Sequence, residues 1–407
     1  MKKTLSLAFV LMAAFCCRAQ YRNDNVLFKT VYTQDLYGEL QKQPGCLMLD
    51  VRSPGEYADT SSMGMNIGRF KGAKNINVRE LGQRISELSD YKDKPVFVYC
   101  SHSQRSRRAS KMLADSGFTK VFNVNGGMTG VRLLPTDGNE KLYKLLETKN
   151  EFTMISPVDL CRKMATEPQK LYLLDVRTDS AYMHISKDAK ENAYGTFKGA
   201  VHMSLEDIKA GKATIPAGKD IVIMDLFGSN ATEAAKWLVQ KTGQKISVLP
   251  EGIDRFFEMN TKDLECMQTN YISPVKYAIM STQDLKGYME VAKGYTFIDL
   301  RSAEEFTNKH KNSWQNVGRL VNSVNIPAAS LESNWSAIEG YKNKPIILYG
   351  FGNSSYVYEV ADKLVAKGFT GVTVLSGGIF NIGWTAANIK GYSSLASLRE
   401  DVPAENQ

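Results

Sequence analysis

A cysteine, three serines, a histidine and an arginine stand together in Cys100-Ser101-His102-Ser103-Gln104-Arg105-Ser106, directly after the apolar run Pro95-Val96-Phe97-Val98-Tyr99. The run reads as a buried strand. Ser106 to Ala114 reads as a helix, with Gly117 in the position just past its end. Cys100 therefore falls where a strand stops and a helix is about to start. Unpaired backbone N–H groups and the positive end of the helix dipole converge there. Both stabilise a thiolate, which is the reactive form of cysteine. The chemistry this spacing suggests is nucleophilic and covalent. Arg105 is the expected anion contact, with Arg107, Arg108 and Lys111 adding positive potential. His102 is read either as a hydrogen-bond donor to substrate oxygens or as a solvated loop residue.

The elements that would hold such a loop occur three times. Asp50-Val51-Arg52 returns as Asp175-Val176-Arg177 and Asp299-Leu300-Arg301, 125 and 124 residues apart. The Cys100 register returns as Asp225 and Gly350, and the turn Gly126-Gly127 as Glu251-Gly252 and Gly377-Gly378. Thr33-Gln34-Asp35-Leu36 is echoed by Pro157-Val158-Asp159-Leu160 and Thr282-Gln283-Asp284-Leu285. Solenoid repeats run to roughly 20–50 residues, whereas independent domains commonly have about 100–150. The chain thus reads as three copies of one domain, over 27–150, 151–272 and 273–400. In the first copy, apolar runs at Cys46–Leu49, Ala73–Val78, Pro95–Tyr99 and Val121–Val124 alternate with helical spacing at Arg79–Leu88 and Ser106–Ala114. That alternation predicts an α/β fold in which each copy is a parallel β-sheet flanked by helices on both faces. Ligands of such sheets bind beyond the carboxyl ends of the strands, where Cys100 is expected.

Residues 1–20 carry Lys2 and Lys3, an apolar stretch from Thr4 to Cys17, and Ala19 before Gln20. The pattern is that of a cleaved export signal, and the periplasm is the expected compartment. The apolar run is shorter than the roughly 18–20 residues of a membrane span. A lipid on Cys16 or Cys17 is the alternative, although Phe15 is bulky for that processing. Loss of residues 1–20 lowers the formal charge from +8 to +5. This mild excess gives no reason to expect nucleic acid and suits a small anionic substrate. Of the remaining cysteines, Cys46 and Cys161 read as buried small hydrophobes. Cys266, in the linker after the second copy, is the candidate exposed or resolving thiol. None forms a C-x-x-C pair, so neither a metal nor a cofactor is expected.

The Asp50-Val51-Arg52 strand end with Glu56, Lys71-Gly72-Ala73, the Cys100 loop and Gly126-Gly127 together resemble the rhodanese (thiosulfate sulfurtransferase) family. The resemblance spans almost all of 27–390 as three tandem modules. Single-module members carry C-x-x-G-x-R-S; Cys100, Arg105 and Ser106 match, and Ser103 replaces the glycine. A serine there is expected to strain the cradle if its φ is positive. Four residues separate Cys100 from Arg105. The related cell-cycle phosphatases have five, so sulfur transfer is preferred over phosphatase or arsenate reductase chemistry. The resemblance implies that thiolate Cys100 takes the outer sulfur of thiosulfate or a persulfide. Backbone N–H groups of Ser101, His102, Ser103, Gln104, Arg105 and Ser106 would hold the resulting persulfide, which passes to cyanide or a thiol. In an oxidising compartment a thiol reductant protein would keep Cys100 reduced.

The sister loops lack the equipment. Asp225 is an anion at a helix start, satisfied there without catalysis, and Asn230 stands where module one has Arg105. Gly350 is inert, and Phe351-Gly352-Asn353-Ser354-Ser355-Tyr356 has no arginine. Modules two and three are therefore expected to stabilise or orient module one. Two-module rhodaneses pack an inactive module on an active one in this way. Tyr99, Phe227, Tyr349, Phe351 and Tyr356 are read as core residues before pocket residues. The loops Glu56–Ala73, Tyr182–Ala200 and Phe306–Ser323, longer than usual, either border the site or lie in solvent. A second class of function stays open: a sulfur carrier or interaction scaffold in which turnover is incidental.

Overall fold

In the strand Val96–Tyr99, Val96 and Val98 pack with Cys100 on one side of the sheet. Phe97 and Tyr99 pack on the other, as the two-residue period of a strand requires. The computed structural model describes residues 27–62 and 65–403. The predicted export signal 1–20, with Cys16 and Cys17, lies outside the described residues, as do Met63 and Gly64. Module one orders its five strands Lys29–Tyr32, Val121–Asn125, Val96–Tyr99, Leu47–Asp50 and Lys74–Asn75, every pair parallel. The same order recurs in module two from Thr153–Met154 to Val201–His202 and in module three from Ala278–Met280 to Val324–Asn325. The α/β reading with three parallel sheets holds.

Helix Gln104–Asp115 covers one face of the first sheet through Ser106, Ala109, Ser110 and Leu113. Their i, i+3, i+4, i+7 spacing is a buried helical stripe. It starts two residues earlier than the sequence suggested, and Gly117 takes a positive φ just beyond it, as expected. Helices Leu36–Lys42 and Gly127–Leu133 cover the other face.

The Asp-x-Arg triplets are buried clamps. Arg52 donates to both oxygens of Asp50 and to the Gly68 carbonyl at 2.8 Å. Arg177 and Arg301 repeat the pattern onto Gly195 and Gly318. Each arginine thus pins a lengthened loop to its strand end. Each loop ends in a two-residue strand that pairs, antiparallel, with the end of its own module, while Met183, Ile185 and Trp314 stand exposed in the second and third loops. The ribbons are Arg69–Phe70 with Leu146–Glu147, Thr196–Phe197 with Tyr271–Ile272, and Arg319–Leu320 with Arg399–Glu400.

Two cysteine expectations fail. Cys161 and Cys266 form a disulfide that ties helix Pro157–Thr166 to helix Glu265–Thr269. Cys266 is accordingly buried and is no resolving thiol. Cys46 and Cys100 are the free cysteines among the described residues.

Modules two and three share one hydrophobic cluster that runs from Leu160 through Tyr194, Phe257 and Tyr358 to Val374. Module one keeps two clusters of its own, with Met154 alone reaching in at the edge. Its contacts to the others are mainly polar. Asn125 donates to the carbonyls of Ala387 and Asn388, Lys390 pairs with Asp35 at 2.8 Å, and Thr136 donates to Asp159.

Candidate functional site

Cys100 follows the last residue of its strand and is 1% exposed. Its thiol lies 3.6 Å from the Ser106 hydroxyl, which itself donates to the Ser103 carbonyl at 2.9 Å. The loop is docked by the turn that follows the next strand. Met128 N–H donates to the Cys100 carbonyl and Thr129 N–H to that of Ser101, both at 2.9 Å. A Cβ on Gly127 would meet those same carbonyl oxygens at 2.4 and 2.5 Å. Only glycine permits this approach. Gly252 and Gly378 stand in the same relation to the carbonyls of Asp225 and Gly350, so the turn signal of the sequence is a loop dock used three times.

Ser103 takes φ 170, extended backbone open to any residue, so the expected strain is absent. Its hydroxyl accepts from Gly126 N–H at 2.8 Å and donates to Asn125 Oδ1 at 2.9 Å. In module three Asn353 Oδ1 accepts from Gly377 N–H in the same way. The serine replaces a glycine's freedom with a tie across the loop. Gln104 opens the helix and is exposed.

Arg105 is placed differently from the expectation of a free anion contact. Its guanidinium grips Glu56 with two hydrogen bonds of 2.7 Å and gives a third, of 2.8 Å, to Ser101 Oγ. Burial pushes the Glu56 carboxyl up, but Arg105 and the Ser53 backbone outweigh it and hold it at about 2. The arginine is in turn held more firmly charged, by Glu56 first and, to a lesser degree, by Cys100. Lys111 is spent on Asp115. The sequence offered Glu56 only as a family match. Its capping box with Ser53 was legible, but the box recurs at Ser302 and Glu305, where Gln315 donates to the glutamate.

Module two shows what this loop geometry can hold. Asp225 sits in the Cys100 register, and its carboxylate accepts from the backbone N–H groups of Gly228, Asn230 and Ala231, the last two at 2.6 and 3.2 Å. The corresponding groups in module one belong to Ser103, Arg105 and Ser106. Burial pushes the Asp225 carboxyl up and those three donors oppose it. In module three the cradle is filled from within. A Cβ on Gly350 would lie 2.5 Å from the Tyr356 hydroxyl, and Tyr356 occupies the register of Ser106.

The three loops face a common cavity of about 380 Å³. His102, Phe227 and Asn353 each reach it from their own module, and Glu251, Arg255 and Glu258 form a charged wall. His102 Nε2 lies 2.5 Å from Glu251 Oε1 and its Nδ1 lies 3.1 Å from Ser101 Oγ. Glu251 also accepts from Arg255, which pairs with Glu258 at 2.7 Å. Burial pushes the Glu251 carboxyl up, yet Arg255 and then His102 hold it at about 2. Burial pushes Glu258 up, with Asp254 and Glu251 adding to it. Tyr99 and Tyr349 are core residues as expected, whereas Phe227, 51% exposed, lines the cavity. His102 rather than Cys100 faces this space, and Met65 of the first long loop borders it.

Among described proteins, the uncharacterized protein YqhL of Bacillus subtilis is 32% identical over 123 residues, 30% of this chain and 87% of that protein. Thiosulfate sulfurtransferase GlpE of Pseudomonas putida is 29% identical over 89 residues, 22% of this chain and 72% of the other. The tRNA uridine(34) hydroxylase of Cytophaga hutchinsonii is 35% identical over 85 residues, 20% of this chain, but the match spans only 25% of the hydroxylase. The model of the Rhodanese-like domain matches residues 33–133, 156–259 and 281–385, one match to each sheet. The chain belongs to the family of proteins built from Rhodanese-like domains, and it carries three of them in tandem.

Proposed function

We propose that module one is a sulfurtransferase in which Cys100 carries sulfane sulfur from thiosulfate or a persulfide to cyanide or a thiol. The observation that carries this reading is the Asp225 carboxylate, held by three backbone N–H groups in the register of Cys100. A loop built this way in module two, with the same dock beneath it in module one, is suited to an anionic sulfur. In the first step the Cys100 thiolate bonds to the outer sulfur of thiosulfate, and the S–S bond of the donor breaks. Sulfite departs with that electron pair and Cys100 is left as a persulfide. In the second step a thiolate or cyanide bonds to the terminal sulfur, and the thiolate of Cys100 is released. Export to an oxidising compartment accords with the Cys161–Cys266 disulfide, since such bonds persist there.

Incubation with thiosulfate and cyanide is the test. Thiocyanate should form with the native protein and not with Cys100→Ser, and mass spectrometry should find one added sulfur on the Cys100 peptide. Thiocyanate formation that survives Cys100→Ser refutes the reading. The near-complete burial of Cys100 favours a second reading, a carrier that holds sulfur and turns over slowly. A stable persulfide without thiocyanate would select it.

A further inference from the structure

Module two has lost its thiol, yet it reaches into the loop of module one. Gly126 and Gly377 open the docking turns of modules one and three with φ 85 and φ 74. The same position in module two is Glu251, with φ 59. Glutamate in left-handed backbone is unfavourable wherever glycine would serve, and such outliers concentrate where a site needs them. The side chain that this backbone delivers goes to His102, 149 residues away in sequence, at 2.5 Å.

One direction of donation satisfies every contact. Arg105 Nη2–H donates to Ser101 Oγ, Ser101 O–H donates to His102 Nδ1, and His102 Nε2–H donates to Glu251 Oε1. Carboxylates close the relay at both ends, Glu56 on Arg105 and Glu251 on His102. The charged groups around His102 are Glu251 and, behind it, Arg255, with Arg105 on the far side of Ser101.

We infer that Glu251 is a positioning residue supplied by module two, which fixes His102 and, through Ser101, the Arg105 side of the loop that cradles Cys100. The inference rests on the sulfur-transfer reading of Cys100 and gives the second module a part in that site. His102 is thereby an oriented wall of the cavity above the loop. The carboxylate also ties module one's loop to the turn of module two, so the site is complete only when the modules are docked.

Glu251→Gly restores the residue found at both sister turns and suits the backbone, but it leaves the buried Arg255 with Glu258 as its remaining ion-pair partner, so the variant should fold with a lowered Tm. Glu251→Gln, which keeps the side chain's length, is the second variant. With thiosulfate and cyanide, kcat should fall about 10- to 100-fold in Glu251→Gly, with KM moving much less and partial rescue in Glu251→Gln. His102→Asn should lower kcat to the same degree, and Glu251→Gly on top of it should add nothing. Independently of activity, imidazole NMR of the four histidines, assigned with His102→Asn, should show a downfield His102 Nε2 proton that Glu251→Gly abolishes. Native kcat in Glu251→Gly, additive losses in the double variant, or no such proton in the native protein overturns the inference. An inactive native protein that shows the proton removes the sulfur-transfer reading but retains Glu251 as the residue that orients His102.

Discussion

Gly127→Ala is the sharpest probe of the dock beneath the Cys100 loop. Its added Cβ would stand 2.4 Å from the Cys100 oxygen and 2.5 Å from that of Ser101. Backbone on both sides must move, because no side chain is there to yield. Movement lengthens two hydrogen bonds, Met128 N–H to Cys100 and Thr129 N–H to Ser101. Each buried bond lost costs about 1–3 kcal/mol, and alanine at φ 56 adds about 1 kcal/mol. The expected destabilisation is roughly 3–7 kcal/mol. Gly117→Ala is the control, with φ 86 and nothing within 4 Å of the new Cβ, so about 1 kcal/mol is expected. All four tryptophans lie in modules two and three, so intrinsic fluorescence does not report on this region. Native-state hydrogen exchange over residues 96–134 does, and thiocyanate formation reports the loop. Equal protection loss in the two variants, or a Gly127→Ala protein with native turnover, refutes the idea that close backbone approach holds the loop in place.

Glu56 titrates at about 2 when folded, below its ordinary 4.5. A depressed carboxylate stabilises fully above the unfolded value and progressively less as pH falls. Module one should therefore weaken between about pH 4.5 and pH 2, and Glu56→Gln should flatten that part of an acid melt. The Cys161–Cys266 disulfide closes a separation of 105 residues, so the paired Cys161→Ser, Cys266→Ser variant should lose about 4 kcal/mol. Its calorimetric transition should fall in temperature while the Cys100 persulfide still forms. Asp225→Ala should leave three N–H groups, two of them buried, without their acceptor and cost about 2–6 kcal/mol, measurable in urea. Gly350→Ala should be destabilising, and Tyr356→Ser should relieve part of that cost by removing the hydroxyl at 2.5 Å while Val357 Cγ2 stays at 2.9 Å; a Gly350→Ala cost that is the same with and without Tyr356→Ser argues against a filled cradle.

Local signals in the chain were read correctly where one module suffices to make them. The 125-residue recurrence of Asp-x-Arg, the Cys100 register and the Gly-Gly turn located the three five-stranded sheets and the loops at their strand ends, because strand ends and positive-φ turns are written in neighbouring residues; the strand Lys29–Tyr32 and the two-stranded ribbons were not read. Gly117 as a helix stop follows from the same locality. What escaped lies between distant segments. Cys161 and Cys266 meet through two helices 105 residues apart, and no spacing rule pairs them. Arg105 was read as the anion contact because Glu56, 49 residues earlier, entered only as a match to the family pattern. Ser103 looked like a fault in the cradle, since its partners Asn125 and Gly126 come from the next strand. The glutamate at a turn where both sisters have glycine was visible, but its meaning required knowing which loop it faced.

The shared hydrophobic cluster of modules two and three sets an order of cohesion. Apolar burial resists salt, whereas the seam around module one includes ion pairs such as Lys390 with Asp35, both substantially exposed. Exposed pairs of that kind fade once ionic strength shortens the screening length below about 8 Å. Concentrated salt should thus loosen module one while its companions stay fused, so that the rate of the proposed sulfur transfer becomes a gauge of how firmly the trio is closed.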